Sequence, residues 1–128
     1  MAYKETLQKK SVSQLKAIAV RHFHKFIRTR DKDLPCISCG RYTKLQAGHF
    51  YSASNSSVRF NEDNVNGQCI QCNHFLSGNL LPYRENLIKK IGQERVDKIT
   101  LNVEMSKKFG FKWSRLFLIE TILKYKGL

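Results

Sequence analysis

Acidic side chains are scarce in this chain: 10 Asp and Glu stand against 23 Lys and Arg among 128 residues, a formal net charge of +13. Such a surplus points to a polyanionic partner, a solvated basic surface being the plainer alternative. Long apolar runs are absent too, which excludes a membrane-spanning helix. No apolar stretch precedes the first helix-like segment, so no secretory leader is expected and the chain is placed in a reducing cytoplasm. With lipid insertion excluded, nucleic acid is the first choice of polyanion. Internal repeats and low-complexity tracts are missing, which leaves one domain over residues 1–128, long enough for a small core that would profit from a metal staple. Cysteine is limited to four residues, and none stands alone.

Those four form two Cys-x-x-Cys pairs, Cys36 with Cys39 and Cys69 with Cys72. Two pairs about thirty residues apart can close one tetrahedral zinc site, each short turn aiming two sulfurs at the ion. A redox Cys-x-x-Cys is the competing reading. It needs one pair at the head of a helix in a βαβ unit, and that pattern is absent. Structural Zn2+ is therefore expected.

Between the knuckles lie His49, after a short apolar run and before Phe50 and Tyr51, and Asn64, after an acidic turn; Asn73 directly follows the last cysteine. Taken singly, each has an ordinary explanation. His49 can be tucked against Phe50 and Phe60, Asn64 can serve a turn, and Asn73 can cap a helix. Their order resembles the HNH nucleases, whose ββα-metal unit is a two-stranded ribbon and a helix around one divalent ion. The resemblance implies an α+β fold, a small zinc-stapled ββα-metal unit (32–78) embedded between an N-terminal basic helix (1–31) and C-terminal helices (79–128). It implies His49 as the general base, Asn64 as the residue orienting its imidazole, and Asn73 as a ligand of catalytic Mg2+ or Mn2+. Histidine suits the base because its pKa lies near neutrality. Gly48 stands where such sites usually carry an acidic residue or histidine. Gln46, on the same strand face by period-two alternation, or His74 is then the substitute ligand.

Along the chain, residues 1–10 read as loose. Ser11 and Gln14 stand at capping-box spacing ahead of a helix whose apolar stripe is Leu15, Ile18, Ala19, Phe23, Phe26 and Ile27. Its other face carries Arg21, His24, Lys25 and Arg28, a phosphate rail or simply a solvated face. The stretch from Asp31 to Pro35 ends it. Strands are expected within Arg41 to Tyr51 and over Asn64 to Gln68, with a polar loop at Ser52 to Ser57, and the second knuckle turns into the metal-binding helix. Pro82 fixes a helix start near Asn79 or Leu80, and Gly92 suits its end. Gln93 to Leu101 reads as a short helix with Val96, Ile99 and Leu101 inward. Asn102 to Trp113 reads as a connector, its rings Phe109, Phe111 and Trp113 assigned to the core and Lys107, Lys108 and Lys112 to solvent or phosphate. Ser114 caps a last helix in which Leu116, Phe117, Ile119, Ile122 and Leu123 spread over more than one face, as a dimer contact would require. Arg59 and Arg84 complete the expected DNA-binding set of Arg21, Lys25, Arg28, Lys107, Lys108 and Lys112.

Asp33-Leu-Pro-Cys36, Ala47-Gly-His49, Arg59-Phe-Asn-Glu62, Cys72-Asn73, Ser77-Gly-Asn-Leu80, Pro82-Tyr-Arg84 and Ile91-Gly-Gln-Glu94 resemble the NinG (Rap) recombination proteins of lambda-like phages. That resemblance implies a phage-encoded, structure-specific DNA endonuclease acting on branched intermediates such as Holliday junctions and D-loops in the bacterial cytoplasm. A homodimer and recombination-protein partners are the assemblies it suggests. A non-catalytic zinc DNA-binding module and a sequence-reading HNH nuclease of restriction or homing type are the alternatives.

Overall fold

In the computed structural model, which describes residues 2–127, a two-stranded antiparallel sheet lies between two helical layers. β1 (Gln46–His49) pairs with β2 (Val65–Gln68), His49 opposite Val65 and Gln46 opposite Gln68. The first layer is α1 (Ala2–Gln8), α2 (Val12–Arg30) and α5 (Arg115–Tyr125); the second is α3 (Leu80–Ile91) and α4 (Gln93–Phe109). The mixed helix-and-sheet class is as expected. Among the described residues no helix is long and apolar enough to cross a membrane.

The capping box forms as read: Gln14 N donates to Ser11 Oγ (3.1 Å) and Ser11 N to Gln14 Oε1 (2.9 Å). Behind it α2 buries Leu15, Ala19, Phe23 and Ile27, one residue per turn. Leu15 and Ala19 meet Leu7, Leu118, Ile119 and Ile122, while Phe23 and Ile27 meet Val65 and Tyr125. The first of these clusters corrects the loose N-terminus. Residues 2–8 are helical, because Leu7 is wholly buried under α5 and anchors them; Met1 lies outside the described residues.

The second layer closes over the other side of the hairpin with Ile37, Val58, Tyr83, Leu87, Val96, Ile99 and Val103. Here α4 runs to Phe109 and absorbs most of the expected connector, since Val103 continues the buried stripe of Val96 and Ile99. Leu101 falls off that stripe and is exposed. So are Phe109 and Phe111, against their assignment to the core, whereas Trp113 is half-buried against the cluster of α2 and α5. Ser114 caps α5 by accepting from Phe117 N (3.0 Å).

The expected metal-binding helix is reduced to one wide turn, Gln71–Phe75. Ser77, Gly78 and Asn79 follow with φ of 50°, 96° and 42°. Three consecutive left-handed residues cannot extend a right-handed helix, so the chain is turned sharply into α3.

Candidate metal centre and hairpin site

The two knuckles converge as their spacing requires. Sulfurs of Cys36, Cys39, Cys69 and Cys72 all lie within 4.8 Å of one another, and none is in a disulfide. The Cys39 to Cys69 separation of 3.7 Å matches the sulfur spacing of about 3.8 Å around a tetrahedral ion with Zn–S near 2.3 Å. Donors already surround the sulfurs: Cys69 N to Cys36 Sγ (3.3 Å), Cys72 N to Cys69 Sγ (3.5 Å), Asn79 Nδ2 to Cys72 Sγ (3.4 Å) and Arg41 to Cys69 Sγ (3.6 Å). These outer hydrogen bonds hold thiolates in place for a cation. Cys39 is raised by desolvation, but hydrogen bonds from Arg41 and the neighbouring thiols prevail and bring it to about 6; burial pushes Cys72 up to about 12. The four cysteines can hold a zinc ion.

Asp31, assigned only to ending α2, ties this knuckle region to the hairpin. It is 1% exposed and accepts from Arg30 Nε (2.7 Å) and from the backbone N of Gly67 (2.8 Å). Burial alone would raise its carboxyl pKa; the Arg30 and Gly67 hydrogen bonds outweigh that and hold it below the ordinary value. Tyr83 OH donates to Gly48 O (2.7 Å), Asn66 Nδ2 to Tyr83 OH (3.2 Å) and Gln68 Nε2 to Ser38 Oγ (2.9 Å). Gly48 is required by this packing, since a Cβ there would lie 2.6 Å from Gln68 Cβ. Asp31, Asn66 and Gln68 went unnoticed in the sequence. Asn66 and Gln68 stand at alternate positions of β2, which reads as the solvated face of a half-exposed strand, so the spacing gave no sign that they are buried.

The expected catalytic residues divide between the two faces. His49 shares its face with Val65, toward α2, and its ring meets that of His24 at 5.6 Å and 61°. Its Nε2 is buried with no hydrogen-bond partner. Burial, then the charges of His24 and Arg59, bring the imidazole down to about 4, against a raising backbone hydrogen bond at Arg59. His49 is therefore neutral at physiological pH. Asn64 does not orient it. Fully buried, Asn64 accepts from Tyr51 N (2.8 Å) and donates to Tyr51 O (3.0 Å) and Val58 O (3.2 Å), clamping the loop between the strands. An internal amide with both ends satisfied by backbone is the ordinary turn reading, and it leaves no donor for the imidazole.

Gln46 and Asn73 do come together, Asn73 Nδ2 donating to Gln46 Oε1 at 2.9 Å. Alternation along β1 puts Gln46 with Gly48 on the face away from His49. Asn73 is no helix cap, because its own N–H already bonds Cys69 O within the turn. His74 is exposed with its ring edge-on to Phe75 at 4.9 Å. Amide oxygens are hard donors of the type Mg2+ accepts, so the pair fits such an ion in kind. It brings no charge, and substrate phosphate would have to supply that.

Of the expected DNA-binding residues, Arg21, Lys25 and Arg28 are exposed along α2, Arg84 on α3, and Lys107, Lys108 and Lys112 at and beyond the end of α4. Arg59 differs: it is half-buried beside the two histidines, bonds Ala53 O (3.2 Å) and leaves its Nε buried and unpartnered. A cavity of about 370 Å3 opens beside the first knuckle between Asp31, Ile37, Asn66, Asn86 and Lys90, away from His49.

Fold and site thus define a small mixed protein of helices around a two-stranded sheet, carrying a four-cysteine cluster that can hold a metal ion. The family model described as Bacteriophage Lambda NinG protein matches residues 2–127, and the chain belongs to that family. Protein ninG of Escherichia phage lambda is 56% identical over 80 residues, 60% of this chain and 39% of that protein. Those of Escherichia phage 933W and Salmonella phage P22 are 55% identical over 80 and 53% over 77 residues. The matched stretch spans about two fifths of the length of these curated relatives. No solved structure matches the chain.

Proposed function

We propose that this chain is an endonuclease that hydrolyses phosphodiester bonds in branched DNA such as Holliday junctions and D-loops, inside the bacterial host. The observation that carries the reading is His49: a neutral imidazole whose acceptor nitrogen is buried without a partner, on a hairpin stapled by the cysteine cluster. With no protein partner, that nitrogen is available to accept a proton from a water. His49 Nε2 takes the proton of that water as its oxygen attacks phosphorus, and the P–O3′ bond breaks with O3′ taking a proton from solvent. Gln46 and Asn73, on the other face of β1, would hold a Mg2+ or Mn2+ ion, whose chemistry when bound would be to neutralise phosphate charge. The exposed cations of α2 track the backbone, and their indifference to base sequence suits recognition of branched shape. Symmetric resolution of a four-way junction needs two nicks, hence a homodimer; exposed Leu116, Phe117 and Leu123 of α5 offer an apolar face for it.

The uncharged Gln46–Asn73 pair on the face away from His49 favours a second reading, a zinc DNA-binding module without catalysis. A gel assay on labelled four-way junction and matched linear duplex, with Mg2+, Mn2+ or no divalent ion, separates the two. The endonuclease nicks the junction preferentially, only with a divalent ion, and His49→Ala abolishes nicking while binding persists. Junction binding with no nicking under either ion would establish the binding module.

A further inference from the structure

His24 has no role in the HNH resemblance, yet the structure sets it against His49. The two rings come from different elements, α2 and β1, and meet at 5.6 Å between centroids. Arg59 arrives from the inter-strand loop and Arg28 from the next turn of α2, and every charge that bears on His24 is cationic. The charges that act on His49 are those of His24 and Arg59, again with no carboxylate among them. Two polar atoms of this cluster, His49 Nε2 and Arg59 Nε, are buried and unpartnered.

Such a cluster is unbalanced in two respects. The half-buried Arg59 guanidinium carries its charge with no carboxylate acting on it, whereas Arg30 is matched to Asp31. Hydrogen-bonding capacity is also left empty where burial makes that costly. A metal cation would worsen the charge. An anion with several acceptor oxygens balances the Arg59 charge and accepts from its buried Nε, while the acceptor nitrogen of His49 is left for a water. We propose that His24, Arg59 and His49 form a cradle for one phosphodiester of the DNA backbone, with His24 and Arg59 donating to its non-bridging oxygens. This rests on the DNA reading above and deepens it by naming where the reacting phosphate is held. His24 is then a substrate-binding residue beside His49, and Arg59 a charge that the backbone reaches inside the site.

The test measures binding without any divalent ion, so that it is independent of cleavage. Fluorescence anisotropy of a labelled four-way junction is followed over a range of salt for the wild type, His24→Gln, Arg59→Gln and the double variant, each checked for wild-type zinc content and melting. Each single variant should weaken binding about tenfold, as loss of a hydrogen bond to a charged group does. Arg59→Gln should also lower the salt slope by about one, as loss of one phosphate contact does. The double variant should lose less than the product of the two, because both side chains share one phosphate. Wild-type affinity in His24→Gln, or strictly multiplicative losses, would overturn the cradle. Should a variant fail to fold, side-chain nitrogen NMR on the wild-type chain decides: His24 and His49 signals must both shift on adding the junction, and a bound complex with His24 unmoved overturns it. If the junction binds with these effects and is never cut, the nuclease reading fails and the cradle stands.

Discussion

The two faces of the β1–β2 hairpin are held by different forces. Toward α2 and α5 the contacts are apolar: Phe23, Ile27 and Tyr125 close on Val65, with the Phe23 and Tyr125 rings edge to face at 5.0 Å. Toward α3 and along the free edge of β2 the strands make polar contacts beside the apolar cluster of Tyr83 and Leu87: Asn66, Gln68, Tyr83 and Lys90 form directed hydrogen bonds, and at the edge Asp31 binds the Gly67 amide, with the cysteine cluster at the far end. Apolar packing tolerates adjustment, whereas a buried polar network is sensitive to each partner, and in this one Gln68 Oε1 accepts no hydrogen bond. The side joined to the cysteine cluster is thus the one expected to respond to loss of a metal ion, and the α2 side, held by apolar packing, the one expected to persist without it.

The largest expected effect breaks the polar face at its staple. Cys36→Ser should abolish zinc binding and unfold the knuckle region, since a structural zinc contributes on the order of 10 kcal/mol to domains of this kind. A variant with wild-type cooperative melting and no bound metal would sink the zinc assignment. Next, Phe23→Ala on the packed face should cost about 4 kcal/mol in denaturant unfolding. Asp31→Ala on the polar face should cost about 3 kcal/mol, because Arg30 and the Gly67 N–H lose a buried partner. The two losses should differ in kind: Asp31→Ala alone should raise hydrogen exchange at Gly67. Gly48→Ala should cost about 2 kcal/mol by forcing Gln68 from its place.

The smallest effect is one of pH. Burial lowers the pKa of both His24 and His49, so between the unfolded value near 6.5 and the folded value, about 4 for His49, the unfolded chain binds more protons. Stability therefore falls as pH drops through that window. His49→Gln should flatten the decline between pH 7 and pH 5 in chemical denaturation. An unchanged slope would mean that His49 is solvated.

Local and periodic features were legible in the sequence. Ser11 with Gln14, the i, i+4 stripe of α2, the Pro82 and Gly92 boundaries and the paired cysteines each carry their signal within a few residues. What escaped detection depends on distant neighbours. Asp31 looks like a helix stop until Gly67, 36 residues on, supplies its N–H. Residues 2–8 look polar because the one residue that anchors them, Leu7, is buried by α5 from the other end of the chain. The rings of Phe109 and Phe111 resembled core by composition, and only the extra turns of α4 carry them outward. At the site, the order of residues that resembles HNH nucleases singled out His49 and Asn73 as candidates. It could not tell that Asn64 is spent on backbone or that His24 stands beside His49, because a helix-face histidine gives no sign of which strand it meets.

Hydrogen exchange before and after zinc removal by a chelator tests this division of forces most directly. Ile37 N, bonded to Gly67 O at 3.0 Å, and Gly67 N, bonded to Asp31, report the polar face; the helical amides of Phe23 and Ile122 report the packed one. Loss of protection at Ile37 and Gly67, with Phe23 and Ile122 still protected, is the predicted result. Uniform loss at all four, or uniform retention, would contradict a hairpin stapled on one face and packed on the other.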